Sequence, residues 1–310
     1  MAVHRVDSNG RNSTKSKFSS LAKKRLIRLV TLYPKALISD DIKVVHNLRV
    51  ASRRLQQVLQ LILPEAKSSA KKKVLRTLRK VRRAFGPCRN LDVNLNLVRG
   101  RMENTTAASV RQAWAAVQLW LEERRAGAIE TGRTELRKHE LVDLIARLQS
   151  LLEDNGEEAE SMERLWERTN DALREWRNAL DAAKADPAVQ RIHAFRIAGK
   201  KLRYRVELLG ELGNSSVKAM IDALKSLQDD LGDWHDHAVL RDHVGEFMQR
   251  PGFMNDEPRM CRALLREMER DKQRDRALIP EVMMKAEKLA QDSMQLESKE
   301  PTANDRQKDQ

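Results

Sequence analysis

Cysteine is scarce in this chain. Only Cys88 and Cys261 occur in 310 residues, and their separation matches no metal-ligand or redox spacing, which excludes a disulfide framework and a thiolate metal site. Two ordinary thiols in a reducing compartment are the expectation. Long apolar runs are lacking as well: the densest, VLQLIL, is far too short to cross a bilayer. The N-terminal MAVHRVDSNGRNSTKSK has no apolar core of the length a secretory signal needs. A cytoplasmic protein without a membrane partner is therefore expected. Aromatic residues make up 4% of the chain, and glycine and proline are sparse, so the vocabulary of sheets and tight turns is missing. Leu, Ala, Arg, Lys, Glu and Gln dominate instead, and these residues lose little on entering a helix. The expected fold class is all-α.

Charge of one sign is abundant. Lys and Arg number 59 against 45 Asp and Glu, a formal net charge of +14, and such an excess repels itself unless an anionic partner neutralises it. The length suits two domains or one duplicated unit. Residues 1–14 and 292–310 carry polar and charged side chains without apolar period and read as disordered tails. Between them apolar residues recur at three and four. Helix breaks are expected at Tyr33–Pro34, Pro64, Gly86–Pro87, Asp154–Gly156, Asp186–Pro187, Gly210–Ser215, Gly232 and Pro251–Pro258, giving about a dozen helices. The acidic stretch EDNGEEAE, residues 153–160, reads as a linker between a first half, about 15–152, and a second, about 161–291.

The halves repeat one another. VVHNLRVASRRLQQVLQLI (Val44–Ile62) returns about 147 residues later as RIHAFRIAGKKLRYRVELL (Arg191–Leu209). LRKVRRAFGPCRNLDV (Leu78–Val93) aligns with LKSLQDDLGDWHDHAV (Leu224–Val239) at about the same offset, matching Gly86 with Gly232. Two segment pairs in one order at one offset indicate a duplicated helical unit. At about 100° per residue, His46, Arg49 and Arg53 share a face opposite Leu48, Leu55 and Leu59. Likewise His193, Arg196 and Lys200 oppose Phe195, Leu202 and Val206. Lys72, Arg76, Arg79 and Arg83 form a third basic stripe, backed by Val74, Leu78, Val81 and Phe85; its counterpart, Lys218 and Lys225, is thinner.

Like charges at these spacings destabilise an isolated helix by a few tenths of a kcal/mol per pair, and acidic neighbours normally interleave them. Here they do not: no Asp or Glu occurs from Val44 through Leu63 or from Ala66 through Leu91. A solvated face is the ordinary reading of one such stripe. Acid-free stripes restated in both halves point to an anion-binding surface, for which arginine's planar fork is suited to phosphate. His46 and His193 read equally as phosphate donors or as packing residues.

At VHNLRVASRRL and IHAFRIAGKKLRY, together with the glycine-containing turn before LDV and with LQDDLGDWHDHAVL, the sequence resembles the CHAD family, the conserved-histidine α-helical domain. The resemblance covers about Lys15 to Gln291. It implies two pseudo-symmetric antiparallel four-helix bundles around a basic central cleft or channel, and binding of inorganic polyphosphate by inward-facing basic residues. On that basis His46, Arg49, Arg53 and Arg54, then His193, Arg196, Lys200, Lys201 and Arg203, would bind polyphosphate. Arg76, Arg79 and Arg83 join them by the stripe argument. One departure is Asn90 after Arg89, where the family commonly has aspartate. No fused CYTH domain is expected, no cofactor is implied, and granule association, through polyphosphate-metabolising enzymes or granule proteins, would follow from the same ligand.

Other chemistries fit the residues less well. His235 and His237, in GDWHDHAVLRDHV, are two apart and point in opposed directions on a helix, unlike the i, i+4 pair of zinc helices, so Asp233 or Asp236 is expected to cap a helix there instead. Arg89 and Asp92 are expected to pair with the ridge arginines. A phosphohistidine enzyme would need a phosphate loop, an acidic metal cluster or an orienting carboxylate, and none stands near His46 or His193 in sequence. Nucleic acid is the closest competitor on charge, but Trp114, Trp120, Trp166 and Trp176 read as core or rim rather than as stacking platforms.

Overall fold

The apolar spacing of the sequence is realised as helices throughout. The computed structural model describes residues 8–62, 69–154 and 162–297. These form α1 (Ser8–Ile38), α2 (Ile42–Ile62), α3 (Ser69–Ala84), α4 (Gly86–Asn104), α5 (Ala108–Arg137), α6 (Leu141–Asp154), α7 (Met162–Ala185), α8 (Val189–Glu211), α9 (Lys218–Met248), α10 (Phe253–Asp256) and α11 (Pro258–Glu297), with a 3-10 turn at Ser215–Val217. No strand occurs among the described residues. The fold is all-α. The expected break at Pro64, most of the acidic linker and the outer parts of both expected tails lie outside the described residues, whereas α1 begins at Ser8 and α11 ends at Glu297.

Breaks fall as expected between α7 and α8 and after α8, and Pro87 sits in the first turn of α4, where its missing N–H costs nothing. Two expected breaks are absent. Pro34 lies inside α1, because Tyr33 and Ala36 are buried on either side of it and the Tyr33 hydroxyl shares its one proton between the carbonyls of Leu136 (2.7 Å) and His139. Gly232 lies inside α9, although the equivalent Gly86 opens a new helix. The difference is the next residue: Pro87 adds about 3 kcal/mol to the cost of continuing the helix, whereas Asp233 does not, and a lone glycine costs only about 1 kcal/mol in a packed helix. Asp233 and Asp236 are consequently mid-helix rather than caps.

The described residues of Met1–Ser161 together with Asp236–Glu269 form one compact unit, and those of Met162–His235 with Arg270–Gln310 form another. The second half of the sequence therefore supplies a segment to the first unit. That segment completes a core in which Leu91, Leu95 and Val98 of α4 and Trp114, Val117 and Leu121 of α5 meet Leu240, Val244 and Phe247 of α9 and Leu264 and Met268 of α11. Elsewhere in this unit α2 packs on α1 and α3, and α3 on α5 and α6. In the second unit α7 packs on α8. There Arg177 of α7 donates to Ser293 Oγ of α11 at 2.9 Å, and Lys285 of α11 pairs with Asp230 of α9 at 2.7 Å.

Trp114 and Trp176 are fully buried and Trp234 nearly so, while Trp120 and Trp166 are half-buried. Cys88 and Cys261 are buried free thiols. No helix among the described residues is long and apolar enough to cross a membrane.

Candidate functional site

In the first unit α2 buries Val45, Leu48, Leu55, Val58 and Leu59 and turns His46, Arg49 and Arg53 outward from that core. Ser52 fixes its register by donating to the Leu78 carbonyl of α3 at 2.6 Å. The Arg49 guanidinium then reaches the end of α3 and donates to the Arg82 carbonyl. That carbonyl belongs to the last turn, whose acceptors lack helical donors and carry the negative end of the helix dipole. Arg82 itself donates to Gln56 Oε1 at 2.7 Å, tying the same corner back to α2.

Arg89, in the first turn of α4, completes the group. Burial pushes Arg49 down to about 10, with Arg53, Arg82 and Arg89 lowering it further. His46 is held below the ordinary histidine range by partial burial, then by Arg89, Arg53 and Arg49. These shifts are those of cations gathered together in a partly buried corner: Arg49 is fixed by a carbonyl, which orients a guanidinium without cancelling its charge.

The corner is seated by Gly132 of α5. A Cβ there would lie 2.6 Å from the Phe85 ring and 2.9 Å from the Ala84 carbonyl oxygen, so only glycine lets the turn between α3 and α4 approach α5. Asp92, fully buried on α4, pairs not with the ridge arginines but with Arg125 of α5, at 2.6 Å, and Arg125 also donates to the Asp40 carbonyl at 2.9 Å. The expected pairing of Asp92 with the ridge is thus corrected. Asp92 points to the face of α4 that packs on α5, and its partner comes from there.

The second unit also gathers a basic group, through contacts of its own. Arg196, 7% exposed, donates through Nε to the Leu231 carbonyl of α9 at 3.1 Å. Gly199 allows the close approach of Gln228 and Trp176. His193, from the preceding turn of α8, lies with its ring centroid 5.4 Å from that of His235. Partial burial, then Arg196 and Lys200, hold His193 below the ordinary range. Burial pushes His235 down to about 4, with Arg196, His193 and Lys200 contributing.

His46, Arg49 and Arg53 are thus gathered in one unit and His193, Arg196 and Lys200 in the other. The remaining sequence-predicted residues are placed differently. Arg54 is exposed one position further round α2, and its carbonyl accepts from Arg25 at 2.8 Å. Lys201 is held by Glu175 of α7 at 2.6 and 2.7 Å, and Arg203 by Glu207 at 2.8 Å. Arg76, Arg79 and Arg83 stand exposed with Lys72 on α3, opposite buried Val74, Leu78 and Val81.

Sequence reasoning missed Arg82 and His235. Arg82 lies about 80° off the α3 stripe, between its exposed and buried faces, so helical spacing assigned it to neither. His235 reads in the sequence as a rejected metal-ligand candidate, although the repeat offset that matches Gly86 with Gly232 also matches Arg89 with His235. Its neighbours do other work: His237 Nδ1 lies 2.8 Å from Arg101 Nη2, and His243 Nδ1 contacts Asn94 Nδ2, both inside the first unit. No group of three or more His, Cys, Asp or Glu that could hold a metal ion occurs among the described residues.

Comparison with known proteins gives one family and one fold. The CHAD domain family matches residues 21–245. The crystal structure of the CHAD domain from the plant Ricinus communis superposes with a TM-score of 0.67, covering 89% of this chain and 91% of that one at 17% identity. At that identity the likeness is one of fold. No curated protein matches the chain.

Proposed function

The chain belongs to the CHAD family, and from that premise we propose that it binds inorganic polyphosphate, without catalysing its turnover, through the basic clusters of the two units. The observation that carries this is the constitution of the first cluster: Arg49 is oriented by a backbone carbonyl, and every charged side chain that lowers His46 is an arginine. Such a group is costly by itself, because like charges repel and burial removes their hydration. A linear polyanion relieves that repulsion, and its released counterions favour the complex.

The architecture the resemblance implies, two pseudo-symmetric antiparallel four-helix bundles with a basic cleft or channel, belongs to this proposal. So do a cytoplasmic place for the protein, its recruitment to polyphosphate granules and the participation of Arg54, Arg76, Arg79, Arg83, Lys201 and Arg203. The last two would have to exchange Glu175 and Glu207 for phosphate. Nucleic acid is the competing ligand on charge alone. The buried or half-buried tryptophans offer it few exposed rings, whereas polyphosphate has no bases to stack.

The test is a binding series with long-chain polyphosphate, short phosphate oligomers and single-stranded DNA at several salt concentrations. The expected order is long polyphosphate tightest, with steep salt dependence. Equal affinity for single-stranded DNA would overturn the polyphosphate reading.

A further inference from the structure

We propose that His235 is a binding residue of the second unit's cluster and gives that cluster a proton uptake on anion binding beyond that of its ridge histidine, an increment the first unit, with Arg89 at the corresponding place in the repeat, lacks. This rests on the polyphosphate reading and concerns how the two clusters differ.

The geometry carries it. In the duplicated pattern the α2 ridge His46, Arg49, Arg53 corresponds to the α8 ridge His193, Arg196, Lys200, and Arg89 corresponds to His235. In the first unit Arg89 is the largest charged contributor at His46. In the second unit the corresponding position of the repeat is an imidazole, 5.4 Å between ring centroids from His193. The charged and titratable groups that act on His235 are Arg196, His193 and Lys200, all from α8; on its own helix the nearest in sequence are Asp233 and Asp236. All three from α8 oppose its protonation, so near neutral pH the pair is uncharged. An anion placed against it reverses the balance, because an imidazolium then has a negative partner and both ring nitrogens become donors. The first cluster keeps arginine where the second has histidine, and an arginine charge does not titrate in this range.

The size of the effect follows from linkage. His235 stands at about 4 without ligand. If the bound anion restores it to about 6.5, the second cluster gains roughly 30-fold in affinity at pH 5 and little at pH 7. His193 adds to this in the same direction.

The experiment is calorimetric titration of the full chain with long-chain polyphosphate, whose interior phosphates carry fixed charge, at pH 5, 6 and 7 in buffers of differing ionisation enthalpy. The variants are His235→Arg, His235→Gln and Arg89→His, with circular dichroism confirming the helical fold of each. Proton uptake by the wild type below pH 6 is expected. His235→Arg and His235→Gln should both reduce it, His235→Arg binding the tighter of the two at pH 7, and Arg89→His should increase it. Undiminished uptake in both His235 variants would overturn the inference, as would binding by the wild type without uptake. Absence of polyphosphate binding at every pH would instead overturn the functional reading on which the inference rests.

Discussion

Arg49 performs two tasks with one side chain: it satisfies an acceptor in the last turn of α3 and presents positive charge beside Arg53, Arg82 and Arg89. The tasks separate on substitution. Arg49→Gln loses a charged hydrogen bond but relieves the repulsion and desolvation of a crowded cation, so denaturant unfolding should change by less than about 1 kcal/mol, while the magnitude of the salt slope of polyphosphate binding should fall by about 1. Arg49→Lys should retain more of the binding than of the stability, because an ammonium supplies charge without the planar fork. The histidines make a separate residue-scale prediction. His46, His193 and His235 are all lowered in the folded chain relative to about 6.5 in the unfolded one. The unfolded chain therefore binds more protons below that pH, so stability is fully present above about 6.5 and falls as pH drops towards 4. Urea midpoints between pH 7.5 and 4.5 check this: a decline that His235→Gln makes shallower is expected, and a flat profile would refute it.

At the scale of elements, the corner between α3 and α4 is the feature that builds the first cluster, since it brings Arg82 and Arg89 to the α2 ridge. Its seat is Gly132. Gly132→Ala must displace the Phe85 ring or the Ala84 carbonyl, an overpacking cost of about 1–3 kcal/mol that exceeds the gain in helix propensity of about 1 kcal/mol. Gly199→Ala should cost less, because the closest atom it meets, Gln228 Nε2, ends a flexible side chain. Thermal unfolding of the two variants ranks them, and an equal or reversed order would contradict the account. Asp92 supports the same corner from behind. Asp92→Ala leaves Arg125 partly buried with only the Asp40 carbonyl as acceptor, a loss of about 1–3 kcal/mol.

Much at this scale was legible in the sequence. The three- and four-residue spacing gave the helices and the opposed apolar and basic faces, and Pro87 marked the corner. What spacing could not reveal is which partner a side chain meets from another helix. Asp92 looked available to the ridge arginines but faces α5; Lys201 and Arg203 matched the motif but meet Glu175 and Glu207. Gly232 and Pro34 looked like breaks, and tertiary packing carried the helices through both.

At the scale of the whole chain, each unit carries a basic cluster, and the sequence between Asp236 and Glu269 folds with the first unit rather than with its own half. The repeat was visible as an offset, but that crossing was not, because it depends on packing between α4, α5, α9 and α11. The formal charge of +14 is a property of the molecule, whereas the proposed polyphosphate binding belongs to particular cations. The most direct measurement compares salt-dependent binding of long-chain polyphosphate to the wild type and to a variant with Arg49, Arg53, Arg196 and Lys200 changed to Glu. A parallel variant reverses as many exposed cations elsewhere, including Arg28, Arg174 and Arg259. Reversal at the clusters is expected to abolish binding, while the charge-matched surface variant retains most of its affinity and its salt slope. Equal losses in the two would show that net charge alone attracts polyphosphate and would contradict the assignment of binding to the two clusters.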